Sequence, residues 1–471
     1  MPAKQHYDLV IIGSGPGGYV AAVRATQLGM KTAVVEKGDR LGGVCLNVGC
    51  IPSKALLDAS EYYHLAAERL SEYGIKTGKV SLDLKTMMAR KDKVVSDLTD
   101  NVRQLLEGNG IEILQGSGSL AGDGEVAIKK GKGRAKKVSA GNILLATGSQ
   151  PVEVPGLAFD GSRIVDSTGA LSFKSVPKHL GIVGGGYIGL ELGSVWRRLG
   201  AKVTVIEMLP RIAALLDGQV GRSLDRLLRK QGFAFLTNTK VAGARVKGGS
   251  VAVSVVGKNE KEETLNFDRL LVSVGRRPLT AGLGLEAAGV STDSRSGLVS
   301  VDATYRTSAA GVYAIGDLIA GPALAHKASA EGVAAVECMA GRAGEVNYDT
   351  IPSVIYTWPE VAAVGLTEEQ VKEREIPYCV GSYPFSGAGR ARCMGEMDGF
   401  VKLIAHSKTD RILGIHIIGP RAADMIAEGV LAMEFGASSE DIARTVHGHP
   451  TFAEALQEAA LSVRKCSIYA S

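Results

Sequence analysis

Residues 8–36, DLVIIGSGPGGYVAAVRATQLGMKTAVVE, run through an apolar stretch, a glycine turn, a helical stretch and a second apolar stretch ending in an acid. Leu9–Ile12 reads as a buried strand, and Gly13-Ser14-Gly15-Pro16-Gly17-Gly18 follows it without a spacer. The helix reaches Leu28-Gly29, and Thr32–Val35 ends in Glu36. In this setting Gly13, Gly15 and Gly18 let backbone N–H groups and a helix N-terminus meet a pyrophosphate, while Glu36 bonds a ribose hydroxyl. A G-x-G-x-x-G alone means little. With strand, helix and terminal acid together it predicts a Rossmann-like dinucleotide-binding unit.

The same unit returns 171 residues later. Leu180–Val183 leads into Gly184-Gly185-Gly186-Tyr187-Ile188-Gly189, then a helix to Leu199-Gly200, then Val203–Ile206 ending in Glu207. Gly13 maps to Gly184, Gly18 to Gly189, Gly29 to Gly200, Lys31 to Lys202 and Glu36 to Glu207. One offset serving all of these implies a true repeat, so the chain is expected to hold two dinucleotides.

Just after the first unit comes LGGVCLNVGCIPSK, residues 41–54. A regular helix turns about 100° per residue and would point Cys45 and Cys50 apart, so bridging them needs an irregular backbone. Gly42, Gly43, Asn47 and Gly49 tolerate one. Ile51-Pro52-Ser53-Lys54 then opens a helix whose dipole favours thiolate. The pair reads as a redox disulfide; half a zinc site and two buried thiols are the alternatives, though no second Cys/His pair at zinc spacing follows. Two dinucleotides beside such a couple suggest a flavin, which exchanges electrons with both a disulfide and a nicotinamide. FAD then belongs at the first turn and the nicotinamide at the second. Glu207 favours NAD over NADP, and nearby Arg211 pulls the other way.

The 471 residues exceed one hydrophobic core, so several domains are expected. A net charge of +5, 54 basic against 49 acidic residues, gives no footprint for nucleic acid. No apolar run is long enough to span a membrane. Six cysteines do not make a secreted disulfide scaffold. Met1 to Gln5 leads straight into an apolar strand with no leader as written, so a cytoplasmic location is expected.

Residues 55–108 read as helical, with a second helix over about 83–107; 111–147 alternate like a β-meander ending in Ile143–Ala146 and the turn Thr147-Gly148. Lys129 to Lys137 holds six basic residues in nine and reads as a solvated hairpin tip. A hydrophilic hairpin, 245–263, precedes strand Leu270–Val274. Gly311–Ile315 runs into Gly316-Asp317, a place for a carboxylate to meet a ribityl or ribose hydroxyl, and Ala325 opens an alanine-rich helix. From about 351 strands alternate with helices near 367–374, 422–436 and 452–464, a separate α+β domain. There His449, with Glu454 to fix its tautomer, is a candidate for the base that dithiol oxidation requires, a hydrogen-bonded structural histidine being the alternative.

These stretches resemble the flavoprotein disulfide reductases, most closely the branch acting on dihydrolipoyl groups: GSGPGGY (13–19), GGVCLNVGCIPSK (42–54), ATGS (146–149), GGGYIGLELG (184–193), SVGRRPLT (273–280), VYAIGD (312–317), LAHKA (324–328) and HGHPTFAEA (447–455). The resemblance implies an FAD-binding domain over 1–150, an NAD-binding domain over 151–280, a central domain over 281–350 completing the FAD site, and a dimerisation domain over 351–471. It implies that Cys45 meets the substrate, that Cys50 lies against the flavin as a charge-transfer thiolate, and that Lys54 pairs with Glu191. Gly118, Thr147, Gly148, Asp317 and Ala325 would complete the FAD site, and Val241 and Gly275 would line the nicotinamide site. His449 and Glu454 would serve the cysteines of the other protomer of a homodimer, across a cis His449–Pro450 bond. The partner would be a lipoyl domain of a 2-oxoacid dehydrogenase complex or a glycine-cleavage carrier. Val44 stands where the family often has threonine, and Ala323 where it has methionine. Mercuric reductases usually carry paired tail cysteines, whereas Cys466 is alone; glutathione-type reductases tend to have lysine where Ser53 stands. A flavin-retaining scaffold subunit, the non-enzymatic alternative, would need none of Cys45, Cys50, His449 and Glu454.

Overall fold

The apolar run before the first glycine turn becomes the strand His6–Ile12, which pairs in parallel with Thr32–Glu36 on one side and Lys136–Leu145 on the other. Leu9, Val10 and Ile11 are fully buried, as a strand covered on both faces requires. Each such side chain contributes about 1.5–3 kcal/mol of burial. The computed structural model describes residues 5–469, so Met1–Lys4, part of the stretch read as lacking a leader, lie outside it. No helix of the described residues is long and apolar enough to cross a membrane.

Two compact units make up the chain. The first draws on the chain up to Leu56, Asp83–Val152 and Gly275–Val346. Its sheet runs in the order Glu112–Gln115, Thr32–Glu36, His6–Ile12, Lys136–Leu145, Glu125–Lys129, Ser117–Leu120. Val312–Ala314 joins it late, in parallel beside Ile143–Leu145. The helices Pro16–Gln27 and Ala325–Met339 pack on each other through small residues: a Cβ on Gly332 would lie 2.6 Å from the Gly17 carbonyl oxygen. The basic run spans the end of Glu125–Lys129, the connection after it and the start of Lys136–Leu145, all exposed. Ser149–Pro151 and Arg276–Pro278 form a separate two-stranded antiparallel ribbon.

The second unit holds Leu57–Leu82, Glu153–Val274 and the chain from Asn347 on. The repeated fingerprint builds a parallel sheet, Phe233–Leu236, Lys202–Ile206, His179–Val183, Arg269–Val272, Ile164–Val165, with the hairpin region 240–267 as a three-stranded antiparallel sheet. The last third folds as an antiparallel sheet of five strands carrying the helices Ala422–Glu434 and Glu454–Val463. Two short helices there, Gly389–Cys393 and Ser439–Arg444, have no counterpart in the sequence reading.

Candidate active site

The two glycine turns repeat down to their hydrogen bonds. Gly13 N–H donates to the Val35 carbonyl at 2.9 Å, and Gly184 N–H to the Ile206 carbonyl at 2.9 Å. Both glycines sit in the left-handed region, at φ +109° and +101°. A Cβ on Gly18 would collide with the Gly13 carbonyl oxygen, and one on Gly189 with that of Gly184. Glu36 accepts from Ser14 N–H and Oγ–H on one oxygen and from Gly38 N–H on the other. Glu207 does the same with Gly185 N–H at 2.6 Å and Leu209 N–H at 2.8 Å. A carboxylate accepts about four hydrogen bonds, so each acid keeps capacity for a ribose hydroxyl.

The helices that follow, Pro16–Gln27 and Tyr187–Arg198, have glycine N-caps with no side chain capping their first N–H groups. Around Gly186 a Cβ would meet nothing within 4 Å, and around Gly15 only Gly43 Cα at 3.9 Å. Open backbone donors at the positive end of a helix fit a pyrophosphate, so both turns suit FAD and NAD. Arg211 donates to the Ala214 carbonyl at 2.8 Å and lies 3.9 Å from Glu369, so its charge is already engaged.

The remaining predicted cofactor residues differ in character. Gly148 and Gly275 have positive φ with open space at the Cβ position, as a ligand-facing turn needs. Thr147 Oγ–H donates to the Leu279 carbonyl at 2.8 Å. Gly118 faces inward, its Cβ position 3.0 Å from Ile12 and 3.1 Å from Val35, so packing alone accounts for that glycine. Val241 lies half-buried on Lys240–Lys247. Ala325 begins its helix after an uncapped Leu324. Asp317 accepts from Ser149 Oγ–H, Arg276 Nε–H donates to Ser149 Oγ at 2.7 Å, and Arg276 Nη–H donates to the Ser149 carbonyl at 2.7 Å. The sequence reading missed Ser149 and Arg276, although both lie inside motifs it quoted.

The cysteines stand either side of a helix break. Cys45 lies in Gly43–Val48, Cys50 opens Cys50–His64, and Gly49 between them takes φ −134°, ψ −116°. A Cβ on Gly49 would sit 3.0 Å from Cys45 Cα. Gly42 and Gly43, at φ +91° and +61°, start the first short helix, and Gly43 abuts Gly15. The break supplies the irregular backbone that the pair requires. The Cys45 thiol is pushed far above its usual range, first by donating to Cys50 and then by burial, while Lys54's charge acts the other way. Of the two sulfurs, Cys45 is the donor and Cys50 the acceptor.

In the second unit His449 Nδ1 and Glu454 Oε1 are 2.8 Å apart, and Thr451 N–H donates to the other Glu454 oxygen at 2.7 Å. Burial presses the Glu454 carboxyl upward but is outweighed by these bonds, so it stays below its ordinary range and ionised. With Nδ1–H given to Glu454, Nε2 is the basic nitrogen, on a side chain 78% exposed. The His449–Pro450 bond is cis. His447 differs: it is buried, with Nε2 2.7 Å from Glu428 and Nδ1 2.8 Å from the Thr445 carbonyl. Glu191 is buried on Tyr187–Arg198 and accepts from Tyr356 N–H at 3.0 Å. Among the described residues no group of three or more His, Cys, Asp or Glu is placed to hold a metal ion.

Comparison with known proteins agrees with this geometry. A family profile described as pyridine nucleotide-disulphide oxidoreductase matches residues 7–332, and the dimerisation domain of the same description matches 351–460. Proteins named dihydrolipoyl dehydrogenase, mitochondrial, from Caenorhabditis elegans and Canis lupus familiaris are 50% and 49% identical to the chain. Each alignment covers 97% of this chain and 92% and 90% of the relatives. Among solved structures, LpdA of Mycobacterium tuberculosis superposes with a TM-score of 0.89 at 26% identity, covering 97% of this chain and 99% of that one. The HOCl-induced flavoprotein disulfide reductase RclA of Escherichia coli, as its Cu(II) complex, gives 0.86 at 28% identity with the same coverage. One expectation is corrected: relatives named as mitochondrial overturn the cytoplasmic location. Cysteine usage reports the redox poise of a compartment, not which compartment it is, and a leader is a removable segment that the folded domains do not need.

Proposed function

The chain belongs to the pyridine nucleotide-disulphide oxidoreductase family, and from that premise we propose that it oxidises dihydrolipoyl groups: dihydrolipoyl dithiol + NAD⁺ → lipoyl disulfide + NADH + H⁺. The observation that carries this reading is the Cys45–Cys50 couple across the Gly49 break, in a chain half identical to dihydrolipoyl dehydrogenases. Bound FAD and NAD supply the two-electron acceptors that return the couple to its disulfide.

The chain's own residues carry the thiol chemistry. His449 Nε2 takes a proton from the substrate, whose thiolate attacks Cys45; the Cys45–Cys50 bond breaks and Cys50 leaves as thiolate. The second substrate sulfur closes the lipoyl ring and expels Cys45, which keeps the second proton. Two protons leave the substrate, one to His449 and one to Cys45, and two electrons enter the couple. The raised Cys45 thiol, donating to Cys50, suits that end state. Lys54 and Glu191 are assigned to its charge balance.

Gly13, Gly15, Gly18, Glu36, Lys54, Gly118, Thr147, Gly148, Asp317 and Ala325 are assigned to FAD; Gly184, Gly186, Gly189, Glu207, Val241 and Gly275 to NAD. The engaged Arg211 supports NAD over NADP. We assign 1–150 to FAD binding, 151–280 to NAD binding, 281–350 to the central domain and 351–471 to the dimer interface. The dimerisation-domain match and the exposure of His449 support a homodimer in which the cysteine couple is served by His449 of the partner subunit. The macromolecular substrate is a lipoyl domain of a 2-oxoacid dehydrogenase complex or a glycine-cleavage carrier. The deciding assay compares lipoamide, glutathione disulfide and Hg(II) as NADH-driven substrates. Lipoamide should lead by about a hundredfold or more; preference for either of the others refutes the assignment.

A further inference from the structure

Beneath the Gly316–Asp317 turn lies an ion pair that the thiol chemistry does not use. Lys327 and Glu331, one helical turn apart on Ala325–Met339, are wholly buried, with Nζ 3.0 Å from Oε1. Both reach the same residue: Glu331 Oε2 accepts from Gly316 N–H at 2.7 Å, and Lys327 Nζ donates to the Gly316 carbonyl at 3.1 Å. The three bonds close a ring around one α-carbon, held at φ +71°. The Lys327 stem passes Gly321, where a Cβ would lie 2.8 Å from Lys327 Cε, so the far side of the turn is gripped as well.

We propose that Lys327 and Glu331 are positioning residues for FAD: by holding both polar groups of Gly316 they fix the direction in which Asp317 presents its carboxylate. This rests on the assignment of Asp317 to FAD. A buried ion pair is a poor source of net stability, because desolvation cancels most of the attraction, and apolar replacement of both partners is often neutral. The pair does supply a fixed orientation, since two charged hydrogen bonds to one residue leave its φ and ψ little freedom. Ser149 Oγ–H, donating to Asp317 from the strand Ser149–Pro151, completes the alignment.

The test is the double variant Lys327→Met/Glu331→Leu, which removes both charges and leaves neither unpaired. FAD affinity is measured by quenching of flavin fluorescence on titration with apoprotein, and apoprotein melting is followed in parallel. The double variant should melt below the wild type, because Gly316 N–H and carbonyl lose their partners, and at a temperature where it remains folded it should bind FAD at least about tenfold more weakly. In an Asp317→Asn background the same pair of changes should add little, because the clamp acts through that carboxylate. Wild-type affinity in the double variant, or a full additional loss in the Asp317→Asn background, overturns the proposal. Failure of the wild-type apoprotein to bind FAD would instead sink the cofactor assignment. Should the double variant fail to fold, Lys327→Met/Glu331→Gln, which strands no charge, keeps an acceptor for Gly316 N–H and loses only the bond to the Gly316 carbonyl, is put through the same cycle; wild-type FAD affinity there overturns the proposal.

Discussion

At Cys45 a proton is held by a neighbouring sulfur, and at His449 a lone pair is held ready by a carboxylate; the predicted chemistry is split between these two residues. Cys45→Ser replaces one side-chain atom and leaves the glycine turns unaltered, so it should keep FAD and lower lipoamide turnover by about a thousandfold or more. Turnover within tenfold of the wild type would show that the thiol is dispensable. His449→Gln should slow reduction by dihydrolipoamide about 10²–10⁴-fold while sparing NADH-driven dye reduction, which needs no base at the dithiol. Equal slowing in stopped-flow traces of both half-reactions would make the residue a structural one. The sulfur pair and the histidine were legible because each lies with its partner in one short stretch. Arg276 and Ser149 were not, because they meet across 127 residues and neither has a local pattern that points to the other.

Among elements, glycine turns dictate their surroundings and so were readable: two fingerprints predicted two strand–turn–helix units, and the structure adds that the two share their hydrogen bonds. Short helices were not, since Ser439–Arg444 is set by the Ser438–Asp441 capping box rather than by any apolar period. Also hidden was the junction of Phe400–His406 with the helices Gly218–Lys230 and Glu368–Glu373. There Lys402, almost fully buried, lies 2.8 Å from Asp217 and 2.6 Å from Glu368. Bonds from Lys372 and then Lys402 hold Glu368 down to about 2, and Asp217, pushed up by burial, is brought below its usual range by Lys402. Depressed carboxylates add stability that is complete above the unfolded value, 4.5 for Glu368, and is lost as pH falls toward about 2. Melting temperature should therefore drop as pH goes from 5 to 3. Lys402→Met should cost about 3–5 kcal/mol near pH 7, where it strands buried charge, and progressively less in acid. Parallel melting curves for the two proteins from pH 7 to 3 would remove the triad from the account.

The whole molecule is predicted to work only as a pair of chains. Mixing Cys45→Ser with His449→Gln, then unfolding and refolding together, should recover about a quarter of wild-type lipoamide turnover. Half of the randomly formed dimers are mixed, and each mixed dimer has one site with both groups intact. No recovery, with mixed dimers verified by tags, would place His449 and the cysteines in one chain. The linear order of motifs was read directly, but the composition of the units was not. The first unit takes Val312–Ala314 from beyond the second fingerprint, and the second takes Leu57–Leu82 from before it. Pairings of such separation leave no periodicity to read.

That late strand also sets a schedule for synthesis. When the ribosome has made Lys136–Leu145, the flank of Ile143–Leu145 that Val312–Ala314 will occupy has no partner, and more than 160 further residues must emerge before it arrives. The second parallel sheet is complete in sequence by Val272, so it can consolidate while the first still shows an unpaired apolar margin. Nascent chains in that interval are the form most exposed to intermolecular strand pairing, and the stage at which chaperone binding matters most.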